Sequence, residues 1–264
     1  RLIAADHHTP FVGEAVTSGV EGLDALLGGG PLRGTCTLVT GPAGSGKTAI
    51  ALQYLAAACQ RGEPSVLYQF DERIGTLMAR SAAFNLDLQD HVDSGRLRIE
   101  QINPAELSPG EFAQRLRREV EQRGVRMVVL DSLNGYLASM PQEQQLILQL
   151  HELLSYLNQQ GVATFLINPQ HGLVGSMHTN INISYVADAV VLLRFFEADG
   201  RIRKAISVLK NRAGMHEDMI REFRLDAGGV RVGRPLNGFR GILTGTPAYD
   251  GERAPLLEDR IHGA

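Results

Sequence analysis

Eight consecutive residues constrain this chain more than any other feature. Gly41-Pro42-Ala43-Gly44-Ser45-Gly46-Lys47-Thr48 matches the phosphate-loop pattern G-x-x-x-x-G-K-[ST] throughout. The pattern has a mechanism when it joins a buried strand to a helix, because glycine-rich backbone N–H groups can then curl around an anion at the helix N-terminus. Both flanks qualify. Thr35 to Thr40 is a short apolar, strand-like run, and Gly46 to Gln60 reads as a helix. In that setting Lys47 pairs the β- and γ-phosphates of a nucleotide and Thr48 offers its hydroxyl to Mg²⁺. The basic residues are otherwise almost all arginine, with Lys47, Lys204 and Lys210 the only lysines.

A phosphate loop needs an acidic partner at the end of a buried strand, and Val128-Val129-Leu130-Asp131 supplies one, with Asp131 expected to hold Mg²⁺ through water. Around these two anchors β-rich and helical runs alternate. Strands are expected at Ser65 to Phe70, Leu97 to Ile102, Met127 to Asp131 and Ala163 to Asn168, and helices at Ile74 to Asn85, Pro109 to Arg123 and Gln142 to Gln159. Continuous runs such as MVVLD and ATFLIN suit strands covered on both faces of a parallel sheet. The last third differs: Ala189 to Phe196, Arg201 to Lys210 and Glu222 to Val232 are joined by turns at Ala198-Asp199-Gly200 and Gly228-Gly229. The expected fold is therefore α/β, a mostly parallel sheet flanked by helices with a C-terminal antiparallel extension. Residues 1–16 read as a linker, 17–246 as the folded domain and 247–264 as a loose tail. The Gly-rich segment from Thr17 to Gly34, with a short helical Val20 to Leu27, reads as a lid or linker ahead of the core.

Composition sets the outer limits. With 264 residues, 44% of them hydrophobic, and 26 Lys plus Arg against 29 Asp plus Glu, the chain has the balance of a soluble globular protein able to bury a large core. No apolar stretch approaches a membrane span, and Arg1 to Pro10 lacks the apolar core of a signal peptide, so a cytoplasmic protein without membrane contact is expected. Because the first residue is Arg1 rather than Met, the chain is expected to be a processed product or a domain of a longer protein. Cys36 and Cys59 read as reduced, buried residues. His171, His178 and His216 lack metal-ligand spacing with either cysteine and read as loop histidines.

Two further groups have chemistry to offer. Asp71 and Glu72 follow the strand after the phosphate loop, and parallel strands end on one side, so this pair is expected near a γ-phosphate if its strand neighbours that of the loop. An acidic helix start is the plainer reading. Lys210 and Arg212 end a later strand on one face, suited to supplying charge to a transferring phosphoryl group or simply to an exposed basic edge.

Taken together, Thr17-Ser18-Gly19-Val20 with the Gly28 to Gly30 run, GPAGSGKT, FDE, VLDSL, ADAVVLL, AISVLKNRAGMHE and IREF resemble the KaiC family of RecA-fold P-loop ATPases, over nearly the whole chain. Within it the chain is most similar to the C-terminal of the family's two tandem domains. The resemblance implies a homohexameric ring with Mg-ATP at each subunit interface. It also implies paired catalytic acids at Asp71 and Glu72, an adenine-packing aromatic at Phe84, and basic groups at Lys204, Lys210 and Arg212 that reach the adjacent subunit's nucleotide. His216 would lie near that nucleotide. The family's autophosphorylated Ser-Thr pair corresponds here to Ser184-Tyr185, a departure in which a phenol replaces the threonine hydroxyl, and Asp71 is one methylene shorter than the family's glutamate.

Three functions remain open on these residues: a Mg-ATP-dependent ATPase with autokinase capacity in a signalling or timing ring, a RecA-like DNA-stimulated motor, and a nucleotide-gated binding scaffold. Against the second, Asn134 to Gln145 and Pro169 to Val186 contain neither Lys nor Arg, a poor lining for a phosphate backbone.

Overall fold

The computed structural model describes residues 13–103, 105–106, 108–137, 143–170, 185–243 and 248–249. The elements of its first half are α1 (Glu21–Leu26), β1 (Cys36–Gly41), α2 (Lys47–Gln60), β2 (Ser65–Gln69), α3 (Ile74–Ala83), α4 (Gln89–Asp93), β3 (Leu97–Gln101), α5 (Pro109–Arg123) and β4 (Met127–Asp131). They are followed by α6 (Leu133–Leu137), α7 (Glu143–Gln159), β5 (Ala163–Pro169), β6 (Ala189–Ala198), β7 (Arg201–Asn211), β8 (Arg221–Asp226), β9 (Gly229–Pro235), β10 (Phe239–Arg240) and β11 (Ala248–Tyr249).

Nine strands form one sheet in the order β3-β2-β4-β5-β1-β6-β7-β8-β9. Neighbours from β3 to β6 are parallel, and β6 through β9 are antiparallel, as the sequence pattern predicts. Every residue of β1 is buried, because alternate side chains enter two separate cores. Val39, Val129 and Phe165 pack with α2 on one face, whereas Leu38, Val128 and Leu166 pack with α5 and α7 on the other. Local signals explain many boundaries. Ser108 and Glu111 form a reciprocal capping box at α5, and Asp199 and Gly200 take φ of 53° and 68° to close the tight β6–β7 hairpin. Helix α3 stops at Ala83, earlier than expected, because Asn85 turns left-handed at φ 58°.

Helix α1 is not a lid. Leu23, Leu26 and Leu27 are at most 2% exposed and join the α2-side core, where each fully buried side chain contributes about 1.5–3 kcal/mol. Upstream, Val16 N–H donates to the Pro31 carbonyl at 2.8 Å, and the short β10 and β11 pair antiparallel. Among the described residues no helix is long and apolar enough to cross a membrane.

Candidate functional site

The phosphate loop leaves β1 and enters α2 in the predicted strand-loop-helix setting. Gly46 is the N-cap of α2 at φ 108°, and a Cβ there would lie 2.6 Å from the Phe223 ring, so both conformation and space demand glycine. Lys47 opens the helix only 7% exposed, its Nζ donating to the Pro42 carbonyl across the loop at 2.7 Å. Burial pulls its ammonium down to about 8, partly offset by the negative charge of Asp131. The Ser45 hydroxyl is buried without a hydrogen-bond partner. A buried cation, an orphaned hydroxyl and a glycine cradle at a helix N-terminus together fit a polyphosphate.

Thr48 Oγ1 donates to Asp131 Oδ2 at 2.7 Å, bringing together the two residues expected to hold a divalent cation. Burial raises the Asp131 pKa, and the Thr48 hydrogen bond opposes that shift. Asp71 pushes it up further, while Arg80 and a hydrogen bond from Gln69 pull it down. A hydroxyl and a carboxylate are hard oxygen donors, suited to Mg²⁺.

The paired acids arrive by a different route from the one expected. Their strand, β2, is not the neighbour of β1, since β4 and β5 lie between them, which makes roughly 14 Å at normal strand spacing. Instead β2 pairs with β4, so Asp71 falls beside Asp131 and the turn after it. Ser132 Oγ donates to Asp71 Oδ2. Gly135 lets α6 close on this corner, where a Cβ would come within 2.4 Å of Phe70 Cβ and 2.9 Å of Asp71 Oδ1. Glu72 is drawn the other way, onto Arg80 of α3 at 2.7 Å. The adjacent carboxylates therefore have different partners.

The basic residues separate into two groups. Lys204 faces Phe195 and Phe223 across its neighbouring strands, and Phe223 abuts Gly46, so Lys204 lies at the chain's own phosphate-loop end. Lys210 pairs with Val190, roughly 20 Å further along β7. Its Nζ donates to the Ala187 carbonyl at 2.6 Å, near Asp188, whose carboxylate accepts from Cys36 N–H at 2.8 Å at the start of β1. Arg212 Nη1 donates to the Tyr185 carbonyl at 3.2 Å. Lys210 and Arg212 thus share a site on the 185–187 segment, and β7 is too long for Lys204 to join them. Burial lowers the pKa of both lysines, with Arg212 adding to the effect at Lys210.

His216 lies beyond β7, where the chain docks on the end of α1 through Glu217 N–H to the Leu26 carbonyl at 3.1 Å. Phe84 caps α3 half-buried, its carbonyl beside Gly229 in the β8–β9 turn. Tyr185 is 53% exposed, while Ser184, His171 and His178 lie outside the described residues. Cys36 and Cys59 are free and buried. Sequence reasoning missed Gln69, Arg80 and Ser132. Only Gln69 left a signal, as a polar residue closing the apolar run SVLYQ.

A family model described as "ATPase: KaiC" matches residues 16–237. Among curated proteins, the chain is 29% identical over 237 residues to circadian clock protein KaiC3 of Synechocystis sp. (strain ATCC 27184 / PCC 6803 / Kazusa), covering 89% of this chain and 46% of the relative. It is 27% identical to the circadian clock oscillator protein KaiC of Acaryochloris marina, covering 88% of this chain and 44% of that protein. Its identity to the KaiC of Thermosynechococcus vestitus is 28%, covering 88% and 45% respectively. The chain spans less than half the length of these relatives.

Proposed function

Because the chain belongs to the KaiC ATPase family, we propose that it binds Mg-ATP at its phosphate loop and hydrolyses it, as a signalling or timing element in a homohexameric ring. The observation that carries this reading is the Thr48–Asp131 hydrogen bond at 2.7 Å beside the buried Lys47, which joins the start of α2 to the end of β4. Thr48 and Asp131 would hold Mg²⁺, which would supply charge neutralisation at the phosphate oxygens. A water oxygen attacks the γ-phosphorus in line, the bond to the β–γ bridging oxygen breaks, ADP leaves, and the water proton passes to Asp71 and then to solvent. Glu72 orients and Lys47 holds the transferring group. Lys204 serves the chain's own nucleotide. Lys210 and Arg212, at the far end of the sheet, serve the nucleotide of an adjacent copy. The same transfer to a neighbouring copy's Ser184 or Tyr185 would make the protein an autokinase.

The purified protein is incubated with Mg-ATP while phosphate release and intact mass are followed, with peptide mapping of any phosphate gained. Phosphate release that disappears in Lys47→Ala supports the ATPase, and added mass on Ser184 or Tyr185 supports the autokinase. Bound nucleotide without turnover would leave only a nucleotide-gated scaffold. A several-fold stimulation by single-stranded DNA would favour a DNA-dependent motor instead.

A further inference from the structure

Asp131 has a partner from the strand beside it as well as from the loop helix. Gln69 closes β2 directly opposite Asp131 in the parallel register, and only 1% of its surface is exposed. Its carboxamide lies beside the Asp131 side chain and helps hold that carboxyl's pKa down. A carboxylate only accepts, so the amide N–H must face Asp131 and the carbonyl oxygen must turn away. That oxygen, Oε1, is buried and has no partner. For stability alone this is a poor choice, because a methionine would fill similar space without burying an unsatisfied acceptor. The two ends of one carboxamide share a carbon, so the orphaned oxygen is held close to the carboxylate that would face the cation. Water bound to a divalent cation is a strong hydrogen-bond donor.

We propose that Gln69 is a positioning residue of the cation site: its N–H fixes the Asp131 carboxylate against Thr48, and its Oε1 accepts from the hydration shell of the divalent cation. This rests on the nucleotide-site reading above and adds a residue to it. Outer partners of this kind typically change metal affinity by about 10–100-fold when removed.

The test uses the full chain, Mn²⁺ as a paramagnetic probe and a non-hydrolysable imido analogue of ATP. Electron paramagnetic resonance gives Mn²⁺ affinity in the presence of the analogue, and a separate titration gives analogue affinity without metal, for the unaltered protein and Gln69→Met. We expect Gln69→Met to weaken Mn²⁺ binding about tenfold, to leave metal-free analogue binding within twofold, and to leave the Tm unchanged or raised. A loss of metal affinity unmatched by a loss of analogue affinity supports the proposal even if the Tm falls. Equal losses of both, or Mn²⁺ affinity within twofold of the unaltered protein, overturn it. If the unaltered protein takes up no Mn²⁺ with the analogue, the nucleotide-site reading fails along with it.

Discussion

Where the parallel strands end, Lys47, Thr48, Gln69, Asp71 and Asp131 are drawn into one corner, where Lys47, Gln69 and Asp131 are buried, Thr48 bonds Asp131 and Ser132 bonds Asp71. Where those strands begin, Lys210 and Arg212 reach carbonyls of the 185–187 segment, beside Leu209, Met215 and Tyr185, which are 52%, 86% and 53% exposed. The first end carries acids and an anion cradle, and the second carries cations and exposed apolar surface. One strand length separates them, so they cannot be halves of a single site within one chain. In the ring proposed above the two ends would meet between copies, which is how exposed apolar area beside fixed charge usually finds its use.

That contrast is broken most severely at the loop. Lys47→Ala should lower phosphate release about a thousandfold, because the buried ammonium is the charge nearest the transferring group. Steady-state phosphate release measures it, and a residual rate near that of the unaltered protein would remove the loop from the reaction. At the other end, Arg212→Ala should cost about a hundredfold in turnover while a fluorescent nucleotide still binds normally. Mixing the two inactive variants in equal amounts should then restore about a quarter of the original rate by random assortment of intact halves. No recovery would show that the two ends do not complete one site between copies.

A pH series sharpens the difference. Lys47 titrates near 8, below the ordinary lysine value, and a bound anion raises it again. Nucleotide binding should therefore take up close to one proton just above that pH and weaken by up to about tenfold per pH unit. Calorimetry in buffers of different ionisation heats reads the proton directly, and a pH-independent affinity from 7 to 9.5 would show that the ammonium does not pair with phosphate. The smallest effect belongs to neither end. Ser108→Ala removes the α5 cap and should cost about 1 kcal/mol in denaturant unfolding without altering nucleotide affinity.

Much of this is legible in the sequence. Strand, loop and helix from Cys36 to Gln60, the Asp199-Gly200 hairpin and the bounds of α5 depend on residues a few positions apart, and their conformations follow from local sterics and capping. The pairing of Thr48 with Asp131 was also foreseeable, since a phosphate loop constrains what its cation site must contain. The burial of α1 was not. Leu23 and Leu26 of the helix and Leu27 at its C-cap are followed by glycines, and the local pattern is the same whether the helix lies over a core or inside it.

The residue pattern alone settled the class of fold and the strand-loop-helix turn from Cys36 to Gln60, because each rests on short-range geometry. Assembly of the sheet settled which distant groups share a corner. Crossovers inserted β4 and β5 between β2 and β1, carrying Asp71 to Asp131 rather than to the loop. The parallel register set Gln69 opposite Asp131, and the length of β7 parted Lys204 from Lys210. Strand order and register are fixed by packing between segments far apart in the chain, and no window of neighbouring residues contains that interaction.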